Sequence, residues 1–289
     1  MKIDLHMHSL YSDGSDDVEH IVKKSKELQL DLIALTDHNT LEGLADLKKY
    51  ALIYQQNVLA GVELSTMYQN KEIHLLGYFP INSDLKDDDF AGLRYFIKQY
   101  QDIKRQQNEA IIFKLSRFFD DISIDDFYLS TASHNINRVH IAQYLVKKGH
   151  VADINEAFQK YIGYHCCCYV KKKAIPIKQG IKAIHQARGK AVIAHLGQYH
   201  LENLTEFIQQ CIGDGVDGFE CYHPFNDEKI VALIQKYQKE MLLTAGSDYH
   251  GSHKKNNVLG KTYSFSMSHQ QKQLYDEIIE RTYHDLMRL

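Results

Sequence analysis

The chain lacks a long apolar run and an excess of positive charge, and each absence excludes a class of protein. No apolar stretch approaches the roughly 20 residues that span a bilayer, so no membrane segment is expected. The net charge of −3 argues against tight binding to duplex DNA, but it leaves small or single-stranded phosphate substrates open. With 289 residues, 44% hydrophobic and 25% charged, the chain is expected to fold around a sizeable core.

Cysteine is scarce as well, and the five cysteines do not form the pattern of a disulfide-rich secreted protein. The first residues lack the apolar segment of a signal peptide, so the expected location is the cytoplasm. Nothing in the sequence indicates an obligate protein partner. Cys166, Cys167 and Cys168 are consecutive. Because neighbouring residues of a strand face opposite ways, we expect them in a buried or half-buried strand rather than around one metal ion.

Strand and helix patterns alternate along most of the chain, as in an α/β barrel. Apolar strand patterns occupy residues 2–5, 32–35, 58–64, 73–79, 191–194, 218–221 and 242–245. Helical spacing occupies 18–28, 41–54, 90–119, 139–148, 154–161, 177–187, 201–212 and 227–239. The sequence therefore predicts a barrel domain formed by residues 1–81 and 176–289. A mostly helical insertion at 82–175 interrupts it and is expected to cover the mouth of the active site.

Histidine is abundant, with 17 residues, and several histidines lie beside Asp or Glu at the ends of predicted strands. His6 and His8 end the first strand, and residues two apart share one face of a strand. Asp13, in the following loop, can return a carboxylate to the same place. The pattern indicates a metal site, with an ordinary surface pair of histidines as the alternative.

The next two strands also carry candidate ligands. His38 follows the strand at 32–35. Its neighbour Asp37 is expected either to accept a hydrogen bond from His38 or to cap the next helix. Asn39 and Thr40 are alternative candidates for the helix cap. Glu63 lies inside an otherwise apolar strand. An unpaired carboxylate there would cost several kcal/mol, so Glu63 requires either a metal ion or a basic side chain as its partner.

Four more candidates lie at the ends of later strands: His74, His195, Asp248 and His250. A barrel would gather all nine imidazoles and carboxylates around one axis, although each alone has a structural explanation. Nitrogen and oxygen ligands without thiolates suit Zn²⁺, Mn²⁺ or Fe²⁺, and nine are too many for one ion. We therefore expect two or three divalent metal ions, which would clamp a phosphoryl group and convert a bridging water into hydroxide near neutral pH.

Taken in order, these motifs resemble the PHP (polymerase and histidinol phosphatase) superfamily over nearly the whole chain. The resemblance rests on Asp-Leu-His-x-His and Ser-Asp-Gly within 4–14, Thr-Asp-His at 36–38, Gly-x-Glu at 61–63 and Gly-Ser-Asp-x-His at 246–250. It implies a distorted (β/α)7 TIM-like barrel with a trinuclear metal site. It also implies one ion held by His6, His8, Glu63 and Asp248, a second held by Asp13, His38 and His250, and a third held by Glu63, His74 and His195.

Within the superfamily, the chain is similar to the branch that contains RNase AM and the nucleoside 3′,5′-bisphosphate phosphatases. The similarity lies in the helical insertion and in the segment Asn-Ile-Asn-Arg-Val-His-Ile-Ala at 135–142. It implies that Arg138 clamps a phosphate through paired N–H donors and that His140 assists. Without the resemblance, Arg138 would be an ordinary surface arginine. Val139 stands where the branch usually has proline, and the cysteine run stands where it has small residues or proline.

A second segment of that branch, Glu-x-Tyr-His-Pro, matches residues 220–224. Glu220 and His223 follow an apolar strand, so both are expected on the rim of the same mouth, with His223 touching the substrate or the leaving group. The basic run at 171–173 is expected either to steer phosphates or to form a solvated surface.

These observations predict a phosphoesterase that acts on nucleotides or on the 5′ end of short single-stranded RNA. In the expected reaction, a hydroxide that bridges the metals attacks phosphorus in line, and Arg138 stabilises the developing charge. Two alternatives remain: a phosphatase of another small phosphomonoester such as histidinol phosphate, and a non-catalytic PHP module. The complete set of nine ligands argues against the second alternative.

Overall fold

The protein is described by a computed structural model that covers residues 1–79, 87–131, 136–173 and 175–261, together with Gln271 and Tyr275. The chain divides into two compact units: unit 1 comprises Met1–Ile97 and Ile175–Leu289, and unit 2 comprises Lys98–Ala174. The expected boundary near residue 82 lies outside the described residues, and the covering of the active-site mouth by the insertion stays a prediction. Among the described residues, no helix combines the length and apolar character that crossing a membrane requires.

The barrel of unit 1 is a single sheet of seven strands in sequence order. The strands are β1 (Ile3–Asp4), β2 (Leu32–Leu35), β3 (Val58–Tyr68), β4 (Lys71–Phe79), β5 (Lys190–Ile193), β6 (Gly218–Tyr222) and β7 (Leu242–Ala245). Hydrogen bonds join its two edges, since Leu5 N donates to Ala245 O at 2.9 Å and His8 N donates to Tyr249 O at 2.9 Å. The expected mixed α/β fold with a seven-stranded TIM-like barrel is therefore confirmed.

One strand runs against the others, which the regular alternation of the sequence did not predict. β4 pairs antiparallel with both β3 and β5, while the remaining neighbours are parallel. A two-residue turn at Gln69 and Asn70 joins β3 to β4, and Gln69 adopts a φ of 55°. Because of this reversal, His74 in the first half of β4 lies opposite Ser65, beyond Glu63 on β3. It is thus brought to the end of the barrel at which the parallel strands finish.

Nine α-helices are found in the described part of the chain. They are α1 (Val18–Glu27), α2 (Leu44–Tyr54), α3 (Ala91–Leu115), α4 (Ile124–Ser130), α5 (Arg138–Lys147), α6 (Ile154–Ala157), α7 (Ile177–Gln186), α8 (Leu204–Gly213) and α9 (Glu228–Gln235). The helices of unit 1 are amphipathic; α1, for example, buries Val18, Ile21 and Val22, and the Asp17 side chain accepts from His20 N at its start. Strands β2 and β7 are buried along their whole length, which explains their continuous apolar sequences.

Unit 2 has a hydrophobic core of its own, in which Phe127, Ile141, Leu145 and Ile162 are fully buried. The helix expected at 154–161 is α6 followed by a π-helical turn, Phe158–Ile162.

The strand expected at 166–168 is wrong, because these cysteines form a turn. Cys166 N donates to Gly163 O and Cys168 N donates to Tyr161 O, both at 3.0 Å. The backbone is thus satisfied locally and needs no neighbouring strand. Cys168 is buried in the core of unit 2, whereas Cys167 is exposed.

Candidate metal centre

Glu63 is the centre of the candidate site. Its carboxylate is completely buried, and five histidines from four different segments of unit 1 surround it. The nitrogen-to-oxygen distances are 3.1 Å for His6, 3.1 Å for His8, 3.1 Å for His38, 2.8 Å for His74 and 3.0 Å for His195. One buried carboxylate therefore faces five imidazoles, far more than a structural ion pair requires.

The other three candidate ligands lie beside this set. Asp248 Oδ1 is 3.3 Å from His8 Nε2 and 3.5 Å from His6 Nε2. Asp13 is 3.2 Å from His250 Nε2 and 3.8 Å from His8 Nδ1. The structure thus brings together all nine residues that the sequence singled out as ligands.

Eight of the nine residues, all except His195, form overlapping groups whose ligand atoms lie within 4.8 Å of one another. One group is His6, His8, Glu63 and Asp248; a second is His8, Asp13, His38 and His250; a third is His38, Glu63 and His74. The first group equals the expected first ligand set, and the second contains the expected second set with His8 added. In the third, His38 stands where His195 was expected, although His195 also contacts Glu63. The division among ions remains a proposal.

Many of these atoms are buried without a hydrogen-bond partner. In the described part of the chain they include His6 Nε2, both ring nitrogens of His8, His38 Nδ1, Glu63 Oε2, His195 Nδ1 and His250 Nε2. Several lie about 3 Å from an oppositely charged or polar neighbour, but not in the geometry of a hydrogen bond. Each unsatisfied buried group costs about 1–3 kcal/mol. Convergent nitrogen and oxygen donors of this kind fit divalent transition metals, so the residues present suit a metal centre.

Burial and the neighbouring charges shift the pKa values of the clustered histidines and of Glu63 in opposite directions. Burial opposes charge on His8 and His74, but nearby carboxylates, Glu63 among them, outweigh burial and raise the pKa of His8 to about 9 and that of His74 to about 10. Burial would raise the pKa of Glu63, yet the surrounding histidines hold it well below its usual range. By contrast, burial lowers the pKa of His38 to about 3. Metal binding at such a site displaces protons from the histidines.

Two candidate ligands occupy an unusual backbone conformation. His195, two residues after the end of β5, has a φ of 47°, and Asp248, after β7, has a φ of 53°. Left-handed conformations are uncommon in residues other than glycine and persist where the surrounding structure holds them. Both lie at strand ends in the candidate site, where such strain is typical of functional positions.

Asp37 does not take either of its expected roles. Its carboxylate accepts hydrogen bonds from Ser9 N at 2.7 Å, Ser9 Oγ at 2.7 Å and Ser12 Oγ at 2.6 Å. It neither bonds to His38 nor caps a helix, and α2 begins later, with Gly43 rather than Asn39 or Thr40 at its N-cap. Asp37 instead fixes the loop between β1 and α1, because it is the acceptor for the backbone and hydroxyl donors of that loop.

Glu220 and His223 complete the inner surface of the site. His223 is buried, and its Nε2 lies 4.0 Å from Asp248 Oδ2. Burial lowers the pKa of His223 to about 2, so its ring is neutral near pH 7. It lines a cavity of about 250 Å³ together with Tyr222, Gly246 and Lys261. His223 therefore lies beside the candidate metal ligands, and its contact with a substrate or leaving group stays a prediction.

Glu220 has a role that the sequence did not reveal. It is fully buried, and its Oε1 lies 3.0 Å from His6 Nδ1. A carboxylate on one ring nitrogen orients the other nitrogen toward a metal and raises its basicity. Burial raises the pKa of Glu220 to about 7, although His6 opposes the rise. The only signal in the sequence was its place beside His223 at the end of an apolar strand.

Replacing Glu220 with alanine should weaken metal binding by about 10- to 100-fold, because His6 Nδ1 would lose the acceptor that orients it. Glu220→Gln keeps an acceptor oxygen, so its metal affinity should fall less than that of Glu220→Ala. Isothermal titration of the metal-free variants with Mn²⁺ or Zn²⁺ measures both effects. Equal metal affinity in Glu220→Ala and the unmodified protein would show that Glu220 does not position His6.

Two further residues hold Asp248 and carried no signal in the sequence. Lys254 Nζ lies 3.0 Å from Asp248 Oδ2, and Asn257 Nδ2 donates to the same oxygen at 3.1 Å. The other oxygen, Oδ1, is left facing His6 and His8. Lys254 falls in a polar stretch that resembles an ordinary solvated loop, so only the fold shows its contact.

Arg138 and His140 belong to unit 2, at the start of α5. The guanidinium of Arg138 lies over the rings of Phe158 and Tyr169, with Cζ-to-centroid distances of 5.7 and 5.4 Å, and its Nη1 donates to Ile162 O at 3.3 Å. His140 Nδ1 accepts from Asn137 N at 3.1 Å as part of a capping box. This contact gives His140 a structural role, and the phosphate roles of both residues stay predictions. Asn135, the first residue of the motif, lies outside the described residues.

Comparisons with known proteins agree with the geometry. The chain is 28% identical to the 5′-3′ exoribonuclease Rnm of Escherichia coli K12 over 256 residues, which cover 86% of this chain and 84% of that protein. It is also 28% identical to a 3′,5′-nucleoside bisphosphate phosphatase of Chromobacterium violaceum, covering 86% and 87% of the two chains.

A crystal structure from Bifidobacterium adolescentis, assigned as a metal-dependent phosphoesterase, has the same fold, with a TM-score of 0.75, 24% identity and coverage of 96% of each chain. The sequence model of the PHP domain matches residues 4–286. The resemblance seen in the motifs is therefore confirmed, and with it phosphoester hydrolysis as the class of reaction. The chain belongs to the PHP domain family.

Proposed function

We propose that this protein hydrolyses phosphate esters of nucleotides or of the 5′ end of short single-stranded RNA, with two or three divalent metal ions as cofactors. The observation that carries the metal-dependent reaction is the cluster of five histidines around the buried Glu63 carboxylate, with Asp13, Asp248 and His250 beside it. The relatives named for 5′-3′ exoribonuclease and 3′,5′-bisphosphate phosphatase activity support the nucleotide class of substrate.

The proposed ligand sets are those that the family resemblance implies. The first ion is held by His6, His8, Glu63 and Asp248; the second by Asp13, His38 and His250; the third by Glu63, His74 and His195. Mn²⁺, Zn²⁺ and Fe²⁺ all suit these nitrogen and oxygen donors. When bound, such ions activate water near neutral pH and neutralise charge on the phosphoryl group.

The remaining residues bind and orient the substrate. His223 is neutral and its Nε2 is buried without a hydrogen-bond partner among the described residues. We propose that this nitrogen binds the substrate or the leaving oxygen. Arg138 is proposed to bind a phosphate, because a guanidinium offers paired donors to phosphate oxygens. No carboxylate of the described residues forms an ion pair with Arg138, so its charge is available to an anion. His140 is proposed to assist it.

A substrate panel tests the proposal. We expect turnover of a nucleoside 3′,5′-bisphosphate and of a 5′-phosphorylated oligoribonucleotide, with a kcat/KM at least about tenfold above that for histidinol phosphate, because nucleotide contacts add transition-state binding. Duplex DNA should not be a substrate. Preference for histidinol phosphate would contradict the proposal and support the alternative phosphatase. Absence of all phosphoesterase activity in metal-loaded protein would support a non-catalytic module.

A further inference from the structure

The turn that carries the three cysteines also carries a row of aromatic rings on unit 2. The ring of Tyr169, which lies under Arg138, is 5.3 Å from the ring of Tyr164, and the Tyr164 ring is 4.0 Å from that of His165. The row begins at a half-buried guanidinium and ends at an exposed pair of rings. Tyr164 is 70% exposed, although a large aromatic side chain gains free energy from burial.

The backbone holds these rings in place. His165 has a φ of 73°, an uncommon conformation for a histidine. Gly163 N donates to Phe158 O at 2.9 Å, and a Cβ at Gly163 would lie 2.2 Å from that oxygen, so the turn requires glycine there. Buried Cys168 anchors the far side of the turn. The rings are thus displayed by a fixed scaffold rather than by a loose loop.

Two more features of the same region are typical of binding sites. Phe158–Ile162 forms a π-helical turn, a rare element that is frequent at functional sites. Arg138 is fixed by two rings and the Ile162 carbonyl, yet it forms no ion pair with a carboxylate of the described residues. The chain then continues into the basic run Lys171, Lys172 and Lys173.

We propose that Tyr164 and His165 form a nucleobase-stacking site, with Arg138 binding a phosphate of the same ligand. The ligand is a nucleotide or a short single-stranded RNA, because a π-face beside a guanidinium that pairs with no carboxylate of the described residues matches a base beside a phosphate. Stacking on exposed rings accepts any base, so the site contributes affinity with little sequence preference. This assignment rests on the proposed function and adds the residues that distinguish nucleotides from other phosphomonoesters.

Equilibrium binding tests the stacking site separately from catalysis. The probe is a fluorescent 5′-phosphorylated oligoadenylate, and its partner probe is an abasic oligoribose phosphate of equal length and charge. Both are titrated, by fluorescence polarisation, into the full-length chain carrying His38→Ala to suppress turnover. Tyr164→Ala should weaken oligoadenylate binding about tenfold, because stacking contributes strongly for each base, and should leave abasic binding unchanged. Tyr164→Phe, which keeps the ring, should bind like the parent.

Tyr95→Ala is the matched control, since Tyr95 is also 70% exposed but lies outside the row of rings; it should change neither affinity. Unchanged oligoadenylate binding in Tyr164→Ala would overturn the stacking site, as would equal losses for both probes. A parent protein that binds oligoadenylate no better than the abasic probe would also overturn it. The proposed function fails by a different result, the absence of nucleotide turnover by the unmodified enzyme, so the two failures are distinguishable.

Discussion

Replacing Glu63 with glutamine is expected to reduce kcat/KM by more than about a hundredfold. Loss of a residue that only hydrogen-bonds a metal ligand typically lowers metal affinity or activity by about 10- to 100-fold, and loss of a ligand itself should cost more. Glu63 is the only carboxylate of the described residues that lies within 3.1 Å of five imidazoles, and it belongs to two of the overlapping ligand groups. Glutamine has nearly the same shape but no negative charge. The substitution therefore removes charge compensation and bridging capacity without opening a cavity.

The measurement is steady-state hydrolysis of a nucleoside 3′,5′-bisphosphate at saturating metal, with circular dichroism to verify the fold. Glu228→Gln, which neutralises an exposed carboxylate at the start of α9 in the same unit, is the matched control and should retain full activity. Activity in Glu63→Gln close to that of Glu228→Gln would refute the central role of Glu63.

Stripping divalent ions from the protein should lower its Tm by about 8 °C. A ligand that binds only the folded state, present at a thousand times its Kd, stabilises that state by about 4 kcal/mol. In a domain of this size each kcal/mol corresponds to about 2 °C in Tm. The physical source is the set of buried ligand atoms that have no hydrogen-bond partner among the described residues. Differential scanning fluorimetry with and without a chelator measures the shift.

Two controls sharpen the thermal experiment. Restoring Mn²⁺ or Zn²⁺ in excess of the chelator should restore the Tm, while Mg²⁺ should restore less of it, because nitrogen ligands suit the transition metals. In Glu63→Gln the shift should be smaller than in the unmodified protein, because two of the three proposed ligand sets contain Glu63. If the chelator left the Tm of the unmodified protein unchanged, the folded state would not bind metal ions.

Buried parallel strands were the most predictable part of the fold. The expected strands at 32–35 and 242–245 have the same limits as β2 and β7, because strands buried on both faces have continuous apolar sequences. The direction of β4 was not predictable in this way, since an apolar run has the same composition in either direction. The turn at Gln69 and Asn70 also lacks the glycine that usually marks a tight hairpin.

The end of one helix and the structure of the cysteine run could not be predicted from the local sequence pattern. The helix expected at 90–119 ends earlier, at Leu115 in α3, and apolar residues beyond it belong to turns. The run 166–168 resembles a strand because cysteine is commonly buried. In the fold only Cys168 enters the core, and backbone bonds to Tyr161 and Gly163 close a turn instead.

The candidate ligands were predictable because a barrel collects its strand ends at one mouth, so polar residues that end apolar runs converge. The residues that hydrogen-bond these ligands could not be predicted from the sequence. Glu220 reaches His6, and Lys254 and Asn257 hold Asp248, through contacts between segments that are distant in the sequence. Asp37 was misassigned for the same reason, since its partners Ser9 and Ser12 come from another loop.

Elemental analysis of the loaded protein tests the metal centre most directly. The purified chain is incubated with Mn²⁺ or Zn²⁺, passed through gel filtration, and analysed for bound metal per chain alongside Glu63→Gln. The nine candidate ligands in and beside the cluster around Glu63 predict two or three tightly held ions per chain, and fewer in the variant, because Glu63 belongs to two of the ligand groups. A folded protein that hydrolyses phosphate esters while holding no stoichiometric metal would contradict the account.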